Sequence, residues 1–246
     1  MSEWIIGKNP VLEALRAERD INKIWIAEGA GRGQMQQVIQ LAKQAGVIVQ
    51  YVPKQKLDQT VSGNHQGVAA SVAAYQYAEL DDLFSAAAAR NEDPFFLILD
   101  EIEDPHNLGS ILRTADAAGV HGVIIPKRRA VGLTAAVAKA STGAIEHVPV
   151  ARVTNLARTM EELKEKGVWI VGTDAKGTQD FRQMDGKMPV AIVIGSEGKG
   201  IGRLIGEKCD FLVRLPMVGK VTSLNASVAA SLLMYEVYRK RNPIGE

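Results

Sequence analysis

The chain is poor in the residues that most directly announce chemistry. It has one cysteine, Cys209, in 246 residues. A disulfide framework and a cysteine-built zinc site are therefore excluded within it, and a reducing compartment is expected. Four histidines give little material for a metal centre. No run approaches the roughly 18 apolar residues of a membrane span. The segment Met1 to Lys8 has no basic leader followed by an apolar stretch, so no secretory signal is expected and the cytoplasm is the expected location. Net charge is almost absent too, with 29 Lys and Arg against 28 Asp and Glu, a formal +1. A nucleic-acid role cannot rest on a global field and needs local patches. Candidates are Lys127-Arg128-Arg129, the pair Arg152 and Arg158, and Arg239-Lys240-Arg241, each of which can equally be a solvated loop or helix end.

Hydrophobic residues are plentiful, at 46%, enough to bury a sizeable core without a metal or disulfide staple. The pattern predicts an α/β protein. Residues 1–74 read as a small α/β unit, with helices over 10–19, 35–45 and 54–60 and strands over 21–27, 47–52 and 67–73. Residues 75–93 read as a boundary region with a weak helix at 80–89. Residues 94–246 alternate regularly. Strands are expected at 95–100, 122–126, 146–150, 168–173, 189–195 and 211–216, and helices at 108–118, 134–140, 154–166 with Thr154 as its cap, 201–208 and 226–241. These strands are continuous apolar runs rather than alternating ones, which marks a parallel sheet covered on both faces.

Three polar, glycine-marked loops follow strands and open helices. They are Asp104 to Thr114, Ile194 to Gly202, and Leu215 to Ala229. In an open α/β sheet, ligands collect at the carboxyl ends of strands, so the three suggest one composite site. The loop Gly195-Ser196-Glu197-Gly198-Lys199-Gly200-Ile201-Gly202 fails as a phosphate loop, because Ile201 follows Gly200 where Lys is required. It fits a dinucleotide fingerprint poorly, since no carboxylate occurs from Arg214 to Asn225. A tight turn without a ligand is the plain alternative. In the first loop Asn107 can cap the following helix, Gly109 allows close approach, and Arg113 can point back toward the strand ends or pair with Glu101 or Glu103. Asp100, Asp104 and His106 suggest a metal only weakly, and no metal is expected. In the third loop Ser223 or Asn225 can cap the last helix.

Taken in order, Asn107-x-Gly109-x-x-x-Arg113-Thr114, Gly195-Ser196-Glu197-Gly198-x-Gly200 and Pro216-Met217-x-Gly219-x-x-x-Ser223-Leu224-Asn225-x-Ser227 resemble the three motifs of the SpoU branch of the SPOUT RNA methyltransferases. The resemblance covers roughly residues 94 to 243. Gly7-x-x-x-Val11 and His65-Gln66-Gly67-Val68 resemble that family's substrate-binding extension.

The resemblance implies a C-terminal parallel-sheet domain closed by a deep trefoil knot, against the rule that chains are not knotted, plus a small N-terminal α/β RNA-binding domain. It implies S-adenosylmethionine as cofactor, held largely by backbone groups around Thr173, Gly195, Glu197, Gly198, Ile201, Leu215, Met217 and Leu224. It implies a homodimer whose active site uses both subunits, with Val228, Leu232, Leu233 and Val237 of the last helix at the interface, although periodicity alone reads that stripe equally as core. The reaction it implies is methylation of a ribose 2′-hydroxyl, in RNA rather than DNA, with Arg113, Asn107, Glu197, Ser223 and Asn225 as catalytic residues. The substrate it points to is a guanosine of 23S rRNA near the peptidyl-transferase centre. A tRNA substrate, or a catalytically inactive RNA-binding factor of ribosome assembly, are the alternatives.

Overall fold

Two kinds of strand sequence produce two kinds of sheet. The structure, a computed structural model, describes residues 3–16, 18–30, 32–72, 75–175 and 177–245. They divide into one unit of residues 1–76 with 132–135 and a second of 77–131 with 136–246.

In the first unit the strands are β1 (Glu3–Ile6), β2 (Ile21–Ala27), β3 (Val49–Val52) and β4 (Val68–Val72), and the helices α1 (Lys8–Arg16), α2 (Arg32–Gln44) and α3 (Lys54–Thr60). The sheet order is β1-β4-β2-β3, with β4 antiparallel to β1 and β2, and β2 parallel to β3. Val11, Leu12 and Leu15 of α1 and Met35 and Val38 of α2 share one core with Ile24, Ile26 and Ala70 of the sheet. A second cluster holds Trp25, Val52 and Ala69 with Leu57 of α3. Strand β1 was not foreseen: its four residues are too few to show a period.

The second unit contains α4 (Leu80–Ala89), β5 (Phe95–Leu99), α5 (Pro105–Ala117), β6 (Gly122–Pro126), α6 (Ala135–Ser141), β7 (Val150–Val153), α7 (Leu156–Glu165), β8 (Trp169–Thr173), β9 (Gln179–Asp180), β10 (Val190–Ile194), α8 (Arg203–Lys208), β11 (Phe211–Arg214) and α9 (Ala226–Arg241). Its seven strands are all parallel, in the order β7-β6-β5-β10-β8-β11-β9. Every residue of β5 and β10 is buried, as a sheet covered on both faces requires. The register is level at the carboxyl edge, Pro126 facing Val153 and Leu99 facing Ile194. All the loops that follow strands therefore open on one side. Among the described residues no helix is long and apolar enough to cross a membrane, and no cluster of His, Cys, Asp and Glu could hold a metal ion.

Four local expectations are corrected. Helix α5 begins at Pro105, not Leu108, and its cap is Asp104, whose Oδ1 accepts the His106 N–H at 2.9 Å. Proline at the first helical position loses no hydrogen bond and has its φ preset, so Asp104-Pro105 is the stronger start signal. Residues 144–146 wind into a 3-10 turn after Gly143, and the strand expected at 146–150 runs instead from Val150 to Val153, beyond Pro149, which cannot donate to a ladder. Helix α7 is capped by Asn155 rather than Thr154, its Oδ1 accepting the Arg158 N–H at 3.1 Å. The two-residue β9 was not foreseen.

Gly109 is obligatory for a packing reason. A Cβ there would lie 2.3 Å from Ala140 Cβ and 2.9 Å from Ala140 C, so α5 and the end of α6 touch backbone to backbone. The close approach expected at Gly109 is thus to α6. At the opposite edge of the sheet Arg241 donates to the carbonyls of Asp93 (2.7 Å), Gly186 (2.8 Å), Met188 (3.0 Å) and Pro94 (3.2 Å), and its guanidinium lies 5.3 Å from the Phe95 ring centroid. Arg239 pairs with the buried Glu236 at 2.8 Å, and Lys240 donates to the Arg182 carbonyl at 2.9 Å. In the basic run at 239–241, Lys240 and Arg241 fasten α9 to the neighbouring loops, while Arg239 is exposed and paired within the helix.

His121 is fully buried beside this fastening. Its Nδ1 accepts the Phe95 N–H at 3.0 Å, which leaves Nε2 to donate to Glu92 at 3.0 Å. Burial holds its pKa below the usual 6.5, with Glu92 opposing that shift. A proton must therefore bind the unfolded chain before the folded one, and stability falls as pH drops below about 6.5 toward the folded pKa. We expect urea midpoints of the wild type to decline between pH 7 and 5. In His121→Gln that decline should be shallower, by up to about 1.4 kcal/mol per pH unit, the value of one proton.

Candidate active site

The carboxyl edge of the seven-stranded sheet gathers the three loops. The loop after β5 leads into α5, the loop after β10 into α8, and the loop after β11 into α9. Because the cap of α5 is Asp104, Asn107 falls within the first turn of the helix and its amide is free to reach sideways. Asn107 Nδ2 donates to Glu197 Oε1 at 2.9 Å. Asn225 Nδ2 donates to Asn107 Oδ1 at 3.0 Å and also to Glu197 Oε1. The Ala226 N–H approaches the same oxygen at 3.4 Å. One carboxylate oxygen of the loop after β10 thus gathers donors from the other two loops.

Asn225 has a second task. Its Oδ1 accepts the N–H of Ser227 (3.0 Å) and of Val228 (3.3 Å) and the Ser227 hydroxyl (2.6 Å), capping α9. Of the two caps considered for that helix it is Asn225, and Ser223 stays exposed in the preceding loop.

The loop carrying Glu197 is shaped by its own backbone. Ser196 and Gly200 exchange N–H and carbonyl at 2.9 and 3.1 Å. A Cβ at Gly195 would lie 2.1 Å from Gly200 C and 2.3 Å from Ile201 N, so the loop folds flat over Gly195. Asp100, at the end of β5, ties this loop to its neighbour: Oδ2 accepts the Gly202 N–H at 2.8 Å. Asp100 is buried, and burial raises its pKa, the Gly202 hydrogen bond opposing the shift. The sequence singled out Asp100 only as a weak metal ligand. Its position at the end of an apolar strand was the available signal for a supporting role. Asp104 is likewise a helix cap, and Glu101 is engaged by Arg129 at 2.6 Å.

The expected cofactor contacts sort by strand. Thr173, Gly195 and Leu215 stand at the ends of β8, β10 and β11, which are neighbours in the order β10-β8-β11. Thr173 Oγ1 donates to the Val193 carbonyl at 3.1 Å. Leu215 and Leu224 are half-buried and Met217 is exposed, in a loop of irregular backbone. Among the described residues the main-chain groups of Leu215, Met217 and Leu224 have no main-chain partner. Ile201 packs beside Gly172, and Gly198 is exposed at the tip of its loop. The result is a row of unused backbone donors and acceptors beside apolar side chains. That is suited to a ligand with both an apolar body and polar edges.

Arg113 is not brought to the triangle within one chain. Six residues separate it from Asn107, about 120° around α5. It is exposed and pairs with neither Glu101 nor Glu103 among the described residues. The apolar stripe of α9 also divides. Leu233 and Val237 are core, while Val228, Leu232, Tyr235 and Tyr238 form an exposed row, each 42–49% accessible. Cys209 donates to the Ile205 carbonyl at 3.3 Å, and burial pushes its thiol up to about 12, so it is no nucleophile at neutral pH.

Residues 94–235 match the SpoU rRNA Methylase family, and residues 4–78 match the domain described as RNA 2′-O ribose methyltransferase substrate binding. A Bacillus subtilis protein assigned to the TrmH family of tRNA/rRNA methyltransferases is 72% identical over 244 residues, 99% of this chain and 98% of its own. An AdoMet-bound rRNA methyltransferase from Sinorhizobium meliloti superposes with a TM-score of 0.60 at 27% identity, over 97% of this chain and 87% of its own. A TrmH/SpoU tRNA-modifying enzyme from A. aeolicus gives 0.55 at 30% identity, over 61% of this chain and 76% of its own.

The geometry makes the Gly195 contact testable. We expect Gly195→Ala to cost about 2 kcal/mol in urea unfolding, because backbone has to move to admit the methyl group. The control Gly206→Ala, in α8 with open space around it, should be neutral or stabilising by up to about 1 kcal/mol.

Proposed function

The chain belongs to the SpoU rRNA methylase family, and from that premise we propose that it methylates a ribose 2′-hydroxyl in RNA using S-adenosylmethionine. The observation that carries the reading is the convergence of Asn107, Glu197 and Asn225 on the carboxyl edge that also carries Leu215, Met217 and Leu224, whose main-chain groups have no main-chain partner among the described residues. The cofactor's family-typical contacts fit this chain. Backbone groups at Gly195, Leu215, Met217 and Leu224 would hold it, with Thr173, Gly198 and Ile201 around them. When bound, it supplies a methyl carbon whose sulfur is already a leaving group, so the protein has to position reactants, exclude water and handle one proton.

Asn107 and Asn225 hold the Glu197 carboxylate and present the polar edge against which a ribose is oriented. Arg113 is the charge-stabilising group. A guanidinium does not give up its proton in proteins, so its physical role is to hold the RNA phosphate or the 2′-oxygen as negative charge develops, not to act as a base. Ser223 adds an exposed hydroxyl in the loop that leads into α9. The exposed Arg113 and the exposed row on α9 support a homodimer in which the site draws on two copies. The knotted threading of the C-terminal segment and a cytoplasmic location belong to the same reading.

For the substrate we propose a guanosine of 23S rRNA near the peptidyl-transferase centre. The S. meliloti rRNA enzyme is matched over 97% of this chain and the A. aeolicus tRNA enzyme over 61%, which favours an rRNA target for a chain carrying the N-terminal substrate-binding domain. A tRNA target is the second reading.

Two outcomes are expected. Arg113→Ala should lower methyl transfer at least about 100-fold, while calorimetry gives S-adenosylmethionine binding within about threefold of wild type; near-normal turnover would remove Arg113 from the chemistry. Leu232→Asp combined with Tyr235→Asp should sediment as a monomer and lose transfer. Mapping 2′-O-methyl groups on rRNA and tRNA from a deletion strain identifies the nucleotide.

A further inference from the structure

The polar edge of the second sheet continues past the candidate active site, over the ends of β6 and β7, where the family motifs contribute nothing. Here two basic groups that are remote in sequence meet. Pro126 faces Val153 in register, and the Lys127 N–H donates to the Val153 carbonyl at 2.8 Å. Lys127, Arg152 and Arg158 therefore line one open cleft of about 300 Å³. Arg152 sits over Tyr77, its guanidinium carbon 4.5 Å from the ring centroid, and its Nη1 donates to the phenol oxygen at 3.4 Å. These contacts hold its positive charge in the wall of the cleft.

Two carboxylates share the cleft, and both are engaged. Glu162 pairs with Arg158 at 3.1 Å, and Glu79 caps the first turn of α4. Lys127 has no carboxylate partner among the described residues. Arg128 is exposed next to it, while Arg129 is held by Glu101 at 2.6 Å, which joins this basic loop to the loop that leads into Asn107. In a chain of net charge +1, such a cluster at a ligand-bearing edge stands out.

Position gives the cluster its meaning. Along the edge the order is β7, β6, β5, β10, β8, β11. Strands are about 4.8 Å apart, so the Arg152 strand lies about 10 Å from the β5 end that supplies Asn107. That is about three nucleotides of a stacked strand. We infer that the cleft formed by Lys127, Arg152 and Arg158 binds the phosphate backbone of substrate RNA a few nucleotides from the methylated ribose. Phosphate contacts of this kind set register without reading bases. The inference rests on the RNA-methyltransferase reading for its substrate class, but its test is one of binding.

The experiment measures binding of the full-length protein to unmodified 23S rRNA transcribed in vitro, at several KCl concentrations. The variants are Lys127→Ala/Arg158→Ala and a charge-matched control, Lys166→Ala/Lys187→Ala, on the opposite edge of the sheet. The cleft variant should bind about tenfold more weakly. Its slope of log affinity against log salt should be shallower by about 1.4, the value for two lost phosphate contacts to single-stranded RNA. The control should match wild type. Equal affinity and slope for the cleft variant and wild type would overturn the site, as would a loss of methyl transfer with unaltered binding. Failure of the enzymatic reading looks different: a wild type that binds the RNA and transfers no methyl group, with the salt slopes still deciding the cleft.

Discussion

One carboxylate oxygen organises the candidate site. Glu197 Oε1, in the loop after β10, receives N–H donors from Asn107 in the loop after β5 and from Asn225 and Ala226 where the loop after β11 enters α9. Hydrogen bonds to an ionised acceptor are about twice as strong as neutral ones, and here they lie at the solvent-facing edge, where each loop alone would be free to wander. Without that oxygen the side-chain link from Glu197 to the other two loops is lost, and of the triangle only the Asn225–Asn107 hydrogen bond still joins those two. Everything that shapes the edge serves to deliver these groups: the Asp104 cap that frees Asn107, the Gly195 backbone contact that flattens the Glu197 loop, and the Asp100 hydrogen bond that ties that loop to β5.

The parallel sheet imposes the wider constraint. With all strands running one way and their ends level, the amino-terminal edge is left for fastening and the carboxyl edge for ligands. The two edges are built from different chemistry. The amino edge is closed by Arg241 on four carbonyls and by the buried His121. The carboxyl edge is open, irregular and unevenly charged. Its strand order lays out in one row a basic cleft, an amide-carboxylate cluster and a stretch of unused backbone.

Much of this was legible in the amino-acid sequence because the second unit's strands are short, unbroken apolar runs, and no other element reads that way. Strands such as Phe95–Leu99 and helices such as Ala226–Arg241 needed only that pattern. The misread helix starts share a cause: several residues near a helix start can cap it, and local spacing does not choose among them. Asn107 and Thr154 are plausible caps, but Asp104 and Asn155 hold the position, and of the two candidates for the last helix it is Asn225. The motifs named the site residues but not their grouping. That Asn107, Glu197 and Asn225 meet, while Arg113 stands about 120° around the helix, depends on helix phase and strand order. The joining of Lys127 to Arg152 depends on the pairing of β6 with β7, which one-dimensional spacing does not contain.

Asn225 links two events that are usually separate. The same side chain that winds the first turn of α9 also closes the polar triangle, across 118 residues from Asn107. Closing so long a loop is entropically costly and is recovered only once much of the chain is in place. A copy whose last helix has not docked lacks both the Leu233 and Val237 share of the core and the assembled triangle. Assembly of the triangle thus waits on the docking of the chain's last element.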